Sequence, residues 1–189
     1  MDLRCFISIE LPPEVKENIS EAEARLKGLG ADVKWINPDS LHITLKFLGS
    51  TPEDRLPEIK NALALAIKGH EGFGLLLKGM GAFPNMKHPR VIWAGIEDSE
   101  RLIGLQKAVE TAMSGLGYEP EGRAFKPHLT IGRVRSLKAV ESLMKELSLS
   151  GGLSFGAVSA DEVSLMQSEL HPTGARYFKL AGFGLGHAS

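Results

Sequence analysis

The sequence lacks the features of proteins that are exported or cross a membrane. It has a single cysteine, Cys5, so no disulfide can form within the chain, which is typical of a reducing compartment. No apolar run approaches the length that crosses a bilayer. The first residues, MDLRCF, contain an acidic residue and no long apolar segment of the kind found in signal peptides. We therefore expect a cytoplasmic protein that does not associate with membranes.

Excess positive charge is also missing. The chain has 22 Lys and Arg residues against 23 Asp and Glu residues, a formal net charge of -1. This balance does not indicate a broad basic surface for nucleic acids, although a local basic pocket is compatible with it. The sequence also lacks HExxH and CxxC metal motifs, a dinucleotide-binding glycine fingerprint and the G-x-S-x-G serine elbow. We expect no metal and no cofactor.

The residues that are present predict one compact domain of strands and helices. Of 189 residues, 43% are hydrophobic and 24% are charged, proportions that allow a buried core. Residues 3–11 alternate in the manner of a strand, and the next segment repeats its apolar residues at helical spacing. The order strand, helix, strand, helix, strand occurs once in each half of the chain.

A constant offset relates these two halves. His42 and His128 lie 86 positions apart, and the same step carries Phe6, in the first predicted strand, onto Ile92, in the first strand of the second half. An internal duplication explains this agreement better than chance does. We therefore expect a single bilobal domain built from two repeats. The domain and its repeats span residues 1–189, about 3–82 and about 90–168.

Two short motifs occupy the same place in these repeats. HITL begins at His42 and HLTI at His128, each within a predicted strand. Because side chains alternate between the faces of a strand, His42 shares a face with Thr44, and His128 shares a face with Thr130. One H-x-T motif is weak evidence, since most such histidines are structural. Its recurrence at equivalent positions of a repeat indicates one shared site.

Two histidines and two threonines suit the chemistry of a phosphodiester. Histidine has a pKa of about 6.5, so one ring can donate a proton while the other accepts one. Threonine hydroxyls can donate hydrogen bonds to the non-bridging phosphate oxygens. Zinc ligation by the two histidines is a weaker interpretation, because a catalytic zinc ion usually has a third protein ligand.

The motifs and their flanking segments resemble the 2H phosphoesterase superfamily, which is defined by paired H-x-[ST]-x motifs. Within it, the sequence is similar to the RNA 2′,3′-cyclic phosphodiesterase family, historically called 2′-5′ RNA ligases. The resemblance covers nearly the whole chain. Its segments are RCFISIELP, WINPDSLHITLKFLG, PRVIWAGI, FKPHLTIGRV and VSLMQSELHPTGARY.

This resemblance implies an α+β, LigT-like fold. Mainly antiparallel sheets of a duplicated β-α-β-α-β unit would line a central cleft, with the helices outside. It also implies metal-independent hydrolysis of a 2′,3′-cyclic phosphate at an RNA 3′ end, leaving a 2′-phosphomonoester. The reverse reaction would join RNA ends, such as tRNA halves, through a 2′-5′ linkage without ATP. We expect a monomer, because no long exposed apolar stripe stands out.

The resemblance also implies roles for the motif residues. His42 would protonate the leaving 3′ oxygen, and His128 would deprotonate water. Thr44 and Thr130 would hold the phosphate oxygens. The two histidines would exchange these roles in the reverse direction.

Arg133 occupies the position of the arginine that follows the family's second motif, and it could bind phosphate. Regular alternation from His128 points Arg133 away from the site, so it takes part only if a bulge or the strand end re-aims it. By the same alternation Lys46 shares the face of His42 and is a candidate contact for the RNA backbone. Each could equally be an ordinary surface cation.

Two other functions are compatible with the same motifs. One is hydrolysis of a small molecule, such as a nucleoside 2′,3′-cyclic phosphate or an ADP-ribose cyclic phosphate. The other is a nucleotide- or RNA-binding module without activity. The intact second motif argues against a binding module, because binding alone does not need two titrating groups.

Overall fold

Two antiparallel sheets and four α-helices form the protein in the computed structural model, which describes residues 2–171 and 174–186. Residues 1, 172–173 and 187–189 lie outside the described part. The strands β1 to β9 are Asp2–Glu10, Val33–Trp35, His42–Pro52, Phe73–Phe83, Val91–Glu97, His128–Val134, Ser154–Ala160, Glu162–His171 and Gly174–Gly184. The helices α1 to α4 are Pro13–Lys27, Leu56–Ala66, Glu100–Gly115 and Val140–Leu149.

The strands divide into two sheets. The first sheet has the order β3-β1-β8-β9, and the second has the order β2-β6-β5-β4-β7. Every pair of neighbouring strands is antiparallel. The predicted α+β fold with mainly antiparallel sheets is therefore confirmed.

The two halves of the chain exchange their third strands. An offset of 86 relates β1 to β5, β3 to β6 and β4 to β8. The first sheet contains the run β3-β1-β8, and the second contains the equivalent run β6-β5-β4. Strand β8 of the second half thus completes the sheet of the first half, and β4 does the reverse. On this ground we propose that the chain is one domain built from an exchanged duplication.

The helices pack on the outer faces of the sheets. Helix α3 contacts β3 of the first sheet and α2, whereas α1 contacts β7 and α4 contacts β4 of the second sheet. Asn18 on α1 donates a hydrogen bond to the carbonyl oxygen of Phe155 on β7, at 3.0 Å. In the described part of the chain, no helix combines the length and the apolar character needed to cross a membrane.

The apolar residues within both motifs enter the core, as their spacing predicts, whereas Phe47, which the same spacing puts on the core face of β3, is exposed. Ile43 and Leu45 on β3 are buried, and so are Leu129 and Ile131 on β6. Cys5, on the neighbouring strand β1, is buried as well. Burial raises the pKa of the Cys5 thiol, while the Thr51 side chain acts in the opposite direction. This thiol therefore stays protonated in the core and is a poor nucleophile.

Helix α1 also buries a carboxylate. The side chain of Glu23 is 0% exposed, and its Oε2 accepts a hydrogen bond from Lys27 Nζ at 3.2 Å. The other oxygen, Oε1, has no hydrogen-bond partner among the described residues. Burial raises the pKa of Glu23 to about 7, although the hydrogen bond and charge of Lys27 act against this shift. Ionised Glu23 therefore destabilises the folded state.

Replacing Glu23 should stabilise the protein in a pH-dependent manner. Between pH 4.5, the ordinary pKa of glutamate, and about 7, the folded state binds more protons than the unfolded state, so stability falls as the pH rises. We expect Glu23→Gln to change the free energy of unfolding little at pH 5 and to raise it by about 2–3 kcal/mol at pH 8. Urea denaturation at both pH values measures this difference.

Glu21→Gln, at an exposed position of the same helix, is the matched control and should give no such pH dependence. Equal effects of Glu23→Gln at pH 5 and pH 8 would contradict the prediction.

Candidate active site

The two motif strands meet although they belong to different sheets. Strand β3 begins at His42 and β6 begins at His128, and the two strands contact each other. Thr44 and Thr130 follow two positions later on each strand, and all four side chains are partly exposed. The fold thus brings both motifs to the boundary between the sheets.

Both histidine rings are held by the same local hydrogen bond. Nδ1 of His42 donates to the carbonyl oxygen of Ser40 at 2.8 Å, and Nδ1 of His128 donates to that of Lys126 at 2.6 Å. A carbonyl oxygen can only accept, so Nδ1 carries hydrogen in both rings. Nε2 of each ring is therefore the nitrogen that is available for proton transfer.

Aromatic neighbours fix the orientation of these rings. His42 lies 4.6 Å from Phe6 and 5.1 Å from Tyr177 between ring centroids, the latter edge to face. His128 meets Phe83 edge to face at 5.0 Å. Burial lowers the pKa of His42, and the nearby charge of Lys16 acts in the same direction, whereas the hydrogen bond to Ser40 opposes them. The neutral form of His42 is thus favoured in the unliganded site.

A β-bulge follows the threonine of each motif. Thr44 and Lys46 lie opposite consecutive residues of β1, so Leu45 is the extra residue in β3. The register between β5 and β6 shifts in the same way, and the extra residue there is Ile131. These two residues are 86 positions apart, so the bulge has the same place in both halves. Beyond each bulge, the alternation of side chains between the two faces is reversed.

This reversal turns Arg133 to the face of His128. Regular alternation alone would point Arg133 away, and the bulge at Ile131 meets the condition under which this arginine can take part, because the extra residue shifts the alternation by one position. Burial raises the pKa of Tyr177, and the positive charges of Arg133 and Arg4 act in the opposite direction. The Tyr177 ring in turn contacts His42 of the first motif.

The same reversal sends Lys46 into the core. Its side chain is 0% exposed, and Nζ pairs with Glu110 Oε1 at 2.6 Å. Nζ also donates a hydrogen bond to the carbonyl oxygen of Glu119 at 2.9 Å. The prediction that Lys46 faces the RNA backbone is therefore wrong, and the physical reason is the bulge at Leu45.

Helix α3 holds the first bulge through side chains. Gln106 Nε2 donates to the carbonyl oxygen of Leu45, the extra residue, at 3.3 Å. The same nitrogen donates to Glu110 Oε2 at 3.3 Å, so Gln106 joins the bulge to the Lys46–Glu110 pair. The backbone amide of Glu121 donates to Glu110 Oε1 at 3.2 Å. The reversed alternation in β3 thus rests on a buried polar network.

Phe47 also lies beside the site, and the prediction from regular alternation, which puts it on the core face with Ile43 and Leu45, is wrong. It pairs with Phe6 across β1 and β3, and the two rings are 6.2 Å apart. Side chains of directly opposed residues point to the same face of a sheet, so Phe47 shares the face of Phe6 and His42. One feature of the sequence could have identified Phe47 as a site residue: it lies 86 positions before Arg133, at the equivalent place in the first repeat.

The described residues contain no group of three or more His, Cys, Asp or Glu side chains that could hold a metal ion. The two histidines, the two threonines, the neighbouring rings and Arg133 supply imidazoles, hydroxyls, aromatic rings and a guanidinium. Such a set can transfer protons and bind an anion.

A family model described as the 2′-5′ RNA ligase superfamily matches residues 11–172. The chain belongs to this superfamily. A protein named RNA 2′,3′-cyclic phosphodiesterase from Methanothermobacter thermautotrophicus is 34% identical over 98% of this chain and 100% of its own length. A protein of the same name from Methanocaldococcus jannaschii is 35% identical, over 93% of this chain and 96% of its own.

Solved structures of this superfamily have the same fold. TT0787 of Thermus thermophilus superposes with a TM-score of 0.80 and 28% identity, covering 98% of this chain and 100% of that one. E. coli LigT complexed with 3′-AMP gives a TM-score of 0.76 and 26% identity, covering 98% and 99%. The family resemblance based on the paired motifs is thereby confirmed. The roles of the individual site residues stay predictions.

The network at the first bulge should be sensitive to loss of one partner. Glu110→Leu leaves the Lys46 charge buried and unpaired, so we expect the free energy of unfolding to fall by about 3–5 kcal/mol. Replacing both partners, in Lys46→Met with Glu110→Leu, removes the unpaired charge and should recover most of this loss. Urea denaturation of the single and double variants measures the recovery. A double variant as unstable as the Glu110→Leu variant would contradict the prediction.

Proposed function

We propose that this superfamily member hydrolyses the 2′,3′-cyclic phosphate at the 3′ end of RNA and leaves a 2′-phosphomonoester. The observation that carries the proposal is the matched pair of imidazoles, each with Nδ1 bound to a carbonyl oxygen and Nε2 available. Relatives named RNA 2′,3′-cyclic phosphodiesterase, similar over nearly the whole chain, support the same reaction.

The proposed reaction divides the proton transfers between the two rings. His128 Nε2 accepts a proton from water while the water oxygen forms a bond to phosphorus. The bond between phosphorus and O3′ breaks, and His42 Nε2–H protonates the leaving oxygen. Thr44 and Thr130 donate hydrogen bonds to the non-bridging oxygens, and the guanidinium of Arg133 offsets their negative charge.

The lowered pKa of His42 affects whether this ring is protonated when it acts as the general acid. In the unliganded site burial favours the neutral ring, whereas a general acid must be protonated. A bound phosphodiester brings a negative charge next to the ring, and an opposite charge nearby raises the pKa of an imidazole. His42 would therefore take up its proton together with the substrate.

Ligation of RNA ends is the second reaction that we propose for this site. A 5′-hydroxyl in place of water would attack the same phosphorus and join two RNA ends through a 2′-5′ linkage, without ATP. The substrates would be cleaved RNAs such as tRNA halves. Water greatly outnumbers 5′-hydroxyl ends, so we propose hydrolysis as the dominant reaction.

The proposal also names a substrate class and a cellular location for the protein. The proposed substrate is RNA with a cyclic phosphate end, and the alternative substrate is a nucleoside or ADP-ribose cyclic phosphate. The protein would act as a monomer in the cytoplasm, and the reaction would need no metal or cofactor. Comparing the hydrolysis rate of an oligonucleotide with that of a mononucleotide that has the same 3′ end distinguishes an RNA substrate from a small-molecule substrate. A site that binds nucleotides without turnover would favour the binding-module alternative.

The reaction can be identified from the mass of its product. We expect an RNA ending in 2′,3′-cyclic phosphate to gain one water in the presence of EDTA and to match an authentic 2′-phosphate standard. His42→Ala and His128→Ala should each lower the rate about 10²- to 10⁴-fold, because each removes one proton transfer. A 3′-phosphate product, or unchanged hydrolysis rates in both variants, would contradict the proposal.

A sulfur leaving group distinguishes the acid from the base. When sulfur replaces the bridging O3′, the leaving thiolate is stable without protonation, so the reaction no longer needs a general acid. We expect this substrate to restore the rate of the His42→Ala variant close to that of the wild-type protein and not to restore the His128→Ala variant. Restoration of the His128→Ala variant instead would reverse the two roles.

A further inference from the structure

An exposed lysine stands beside the histidine of the second motif. The backbone carbonyl oxygen of Lys126 holds the His128 ring, and its side chain reaches over a neighbouring ring. Lys126 Nζ lies 5.8 Å from the centroid of Phe83, which meets His128 edge to face at 5.0 Å. Among the described residues, no carboxylate forms an ion pair with Lys126. Its charge is therefore available to an anionic ligand close to His128.

Packing of aromatic rings holds this ammonium group near the site. Phe83 lies 5.3 Å from Trp93 between ring centroids, and Trp93 lies over Gly81, where an added Cβ would collide with the indole. Trp93 is opposite Thr130 across β5 and β6, so the indole is on the face of the site. A cation is attracted to the face of a ring, so the fixed Phe83 ring holds Lys126 in place. Such order before binding lowers the entropic cost of binding a ligand.

The first motif is flanked by different side chains. Ser40 lies 86 positions before Lys126, and its carbonyl oxygen holds the first histidine in the same way, but its side chain carries no charge. Opposite the threonine of the first motif β1 carries Ser8, whereas β5 carries Trp93 opposite the threonine of the second. The lysine and the ring that holds it thus belong to one side of the site, that of His128.

In the ligation that we propose, the second RNA end enters on this side. His128 Nε2 accepts the proton of the 5′-hydroxyl while O5′ forms a bond to phosphorus. The bond between phosphorus and O3′ breaks, and His42 protonates O3′. The nucleoside that carries the 5′-hydroxyl must therefore lie beside His128, on the second sheet. The phosphate on its 3′ side, which joins it to the rest of its strand, then lies one nucleoside away from the reacting phosphorus.

We propose that Lys126 binds this phosphate and that Lys126 and the Phe83 ring form an acceptor subsite for RNA that begins with a 5′-hydroxyl. The proposal rests on the ligation part of the proposed function. One ring separates the Lys126 ammonium from the His128 imidazole, a separation that a single nucleoside can span. Water carries no phosphate, so this contact favours ligation over hydrolysis.

The ratio of ligated to hydrolysed product measures this contact within one reaction. An RNA with a 2′,3′-cyclic phosphate is mixed with an excess of a deoxydinucleotide that begins with a 5′-hydroxyl, and both products are quantified. We expect Lys126→Met to lower the ratio about 10-fold, because one charge-assisted contact is lost, and Lys126→Arg to retain it. Both reactions use the same two histidines, so a disturbance of His128 or of folding lowers both products and leaves the ratio unchanged.

Two controls separate a phosphate contact from a general effect of charge. Deoxythymidine offers a 5′-hydroxyl but no phosphate, so the Lys126→Met variant and the wild-type protein should give equal ratios with this acceptor. Lys145→Met is the matched control variant, because Lys145 is also exposed but lies on α4, which packs on the outer face of the second sheet. It should give the wild-type ratio with both acceptors.

Two outcomes would overturn the acceptor subsite: an unchanged ratio in the Lys126→Met variant with the deoxydinucleotide, and an equal loss with both acceptors. If wild-type protein hydrolyses the RNA but forms no ligated product, ligation fails, and if it does neither, the whole proposed function fails. In both cases the affinity for the deoxydinucleotide, measured by titration, decides the subsite. Lys126→Met should weaken this affinity about 10-fold and Lys145→Met should not, whereas equal affinities would overturn the subsite.

Discussion

The β-bulge after each motif threonine decides which side chains surround the two histidines. One extra residue, Leu45 or Ile131, reverses the alternation of the strand beyond it. In β3 this reversal buries Lys46 and exposes Phe47, and in β6 it turns Arg133 toward the site. Without the bulges the same residues would place a lysine at the site and direct the arginine away from it.

Exchange of the third strands ties the two motifs to one core. Because β8 pairs with β1 in the first sheet and β4 pairs with β5 in the second, each half contributes a strand to the sheet that carries the motif of the other. The Lys46–Glu110 pair makes a similar link, since Lys46 lies in β3 of the first half and Glu110 lies in α3 of the second. The relative position of the histidines therefore does not depend on a hinge between independent lobes.

The two motifs share a backbone frame but differ in their surroundings. Ser40 and Lys126 hold the two imidazoles through equivalent carbonyl oxygens. Across the bulge, however, Lys46 corresponds to Gly132, where an added Cβ would lie only 2.8 Å from Val33. Strand β2 fills that space in the second half. On the face of the histidines, Phe47 in the first half corresponds to Arg133 in the second, so the two sides of the site are chemically different.

The order of strands and helices, the offset of 86 and the pairing of each histidine with its threonine could all be determined from the sequence, because they depend on local spacing. Most of the candidate site follows from the same spacing. The positions of the Lys46, Arg133 and Phe47 side chains could not be determined in this way, and regular alternation gives the wrong face for all three. A bulge exists only in relation to a neighbouring strand, here β1 or β5, so only the tertiary structure decides where alternation is reversed.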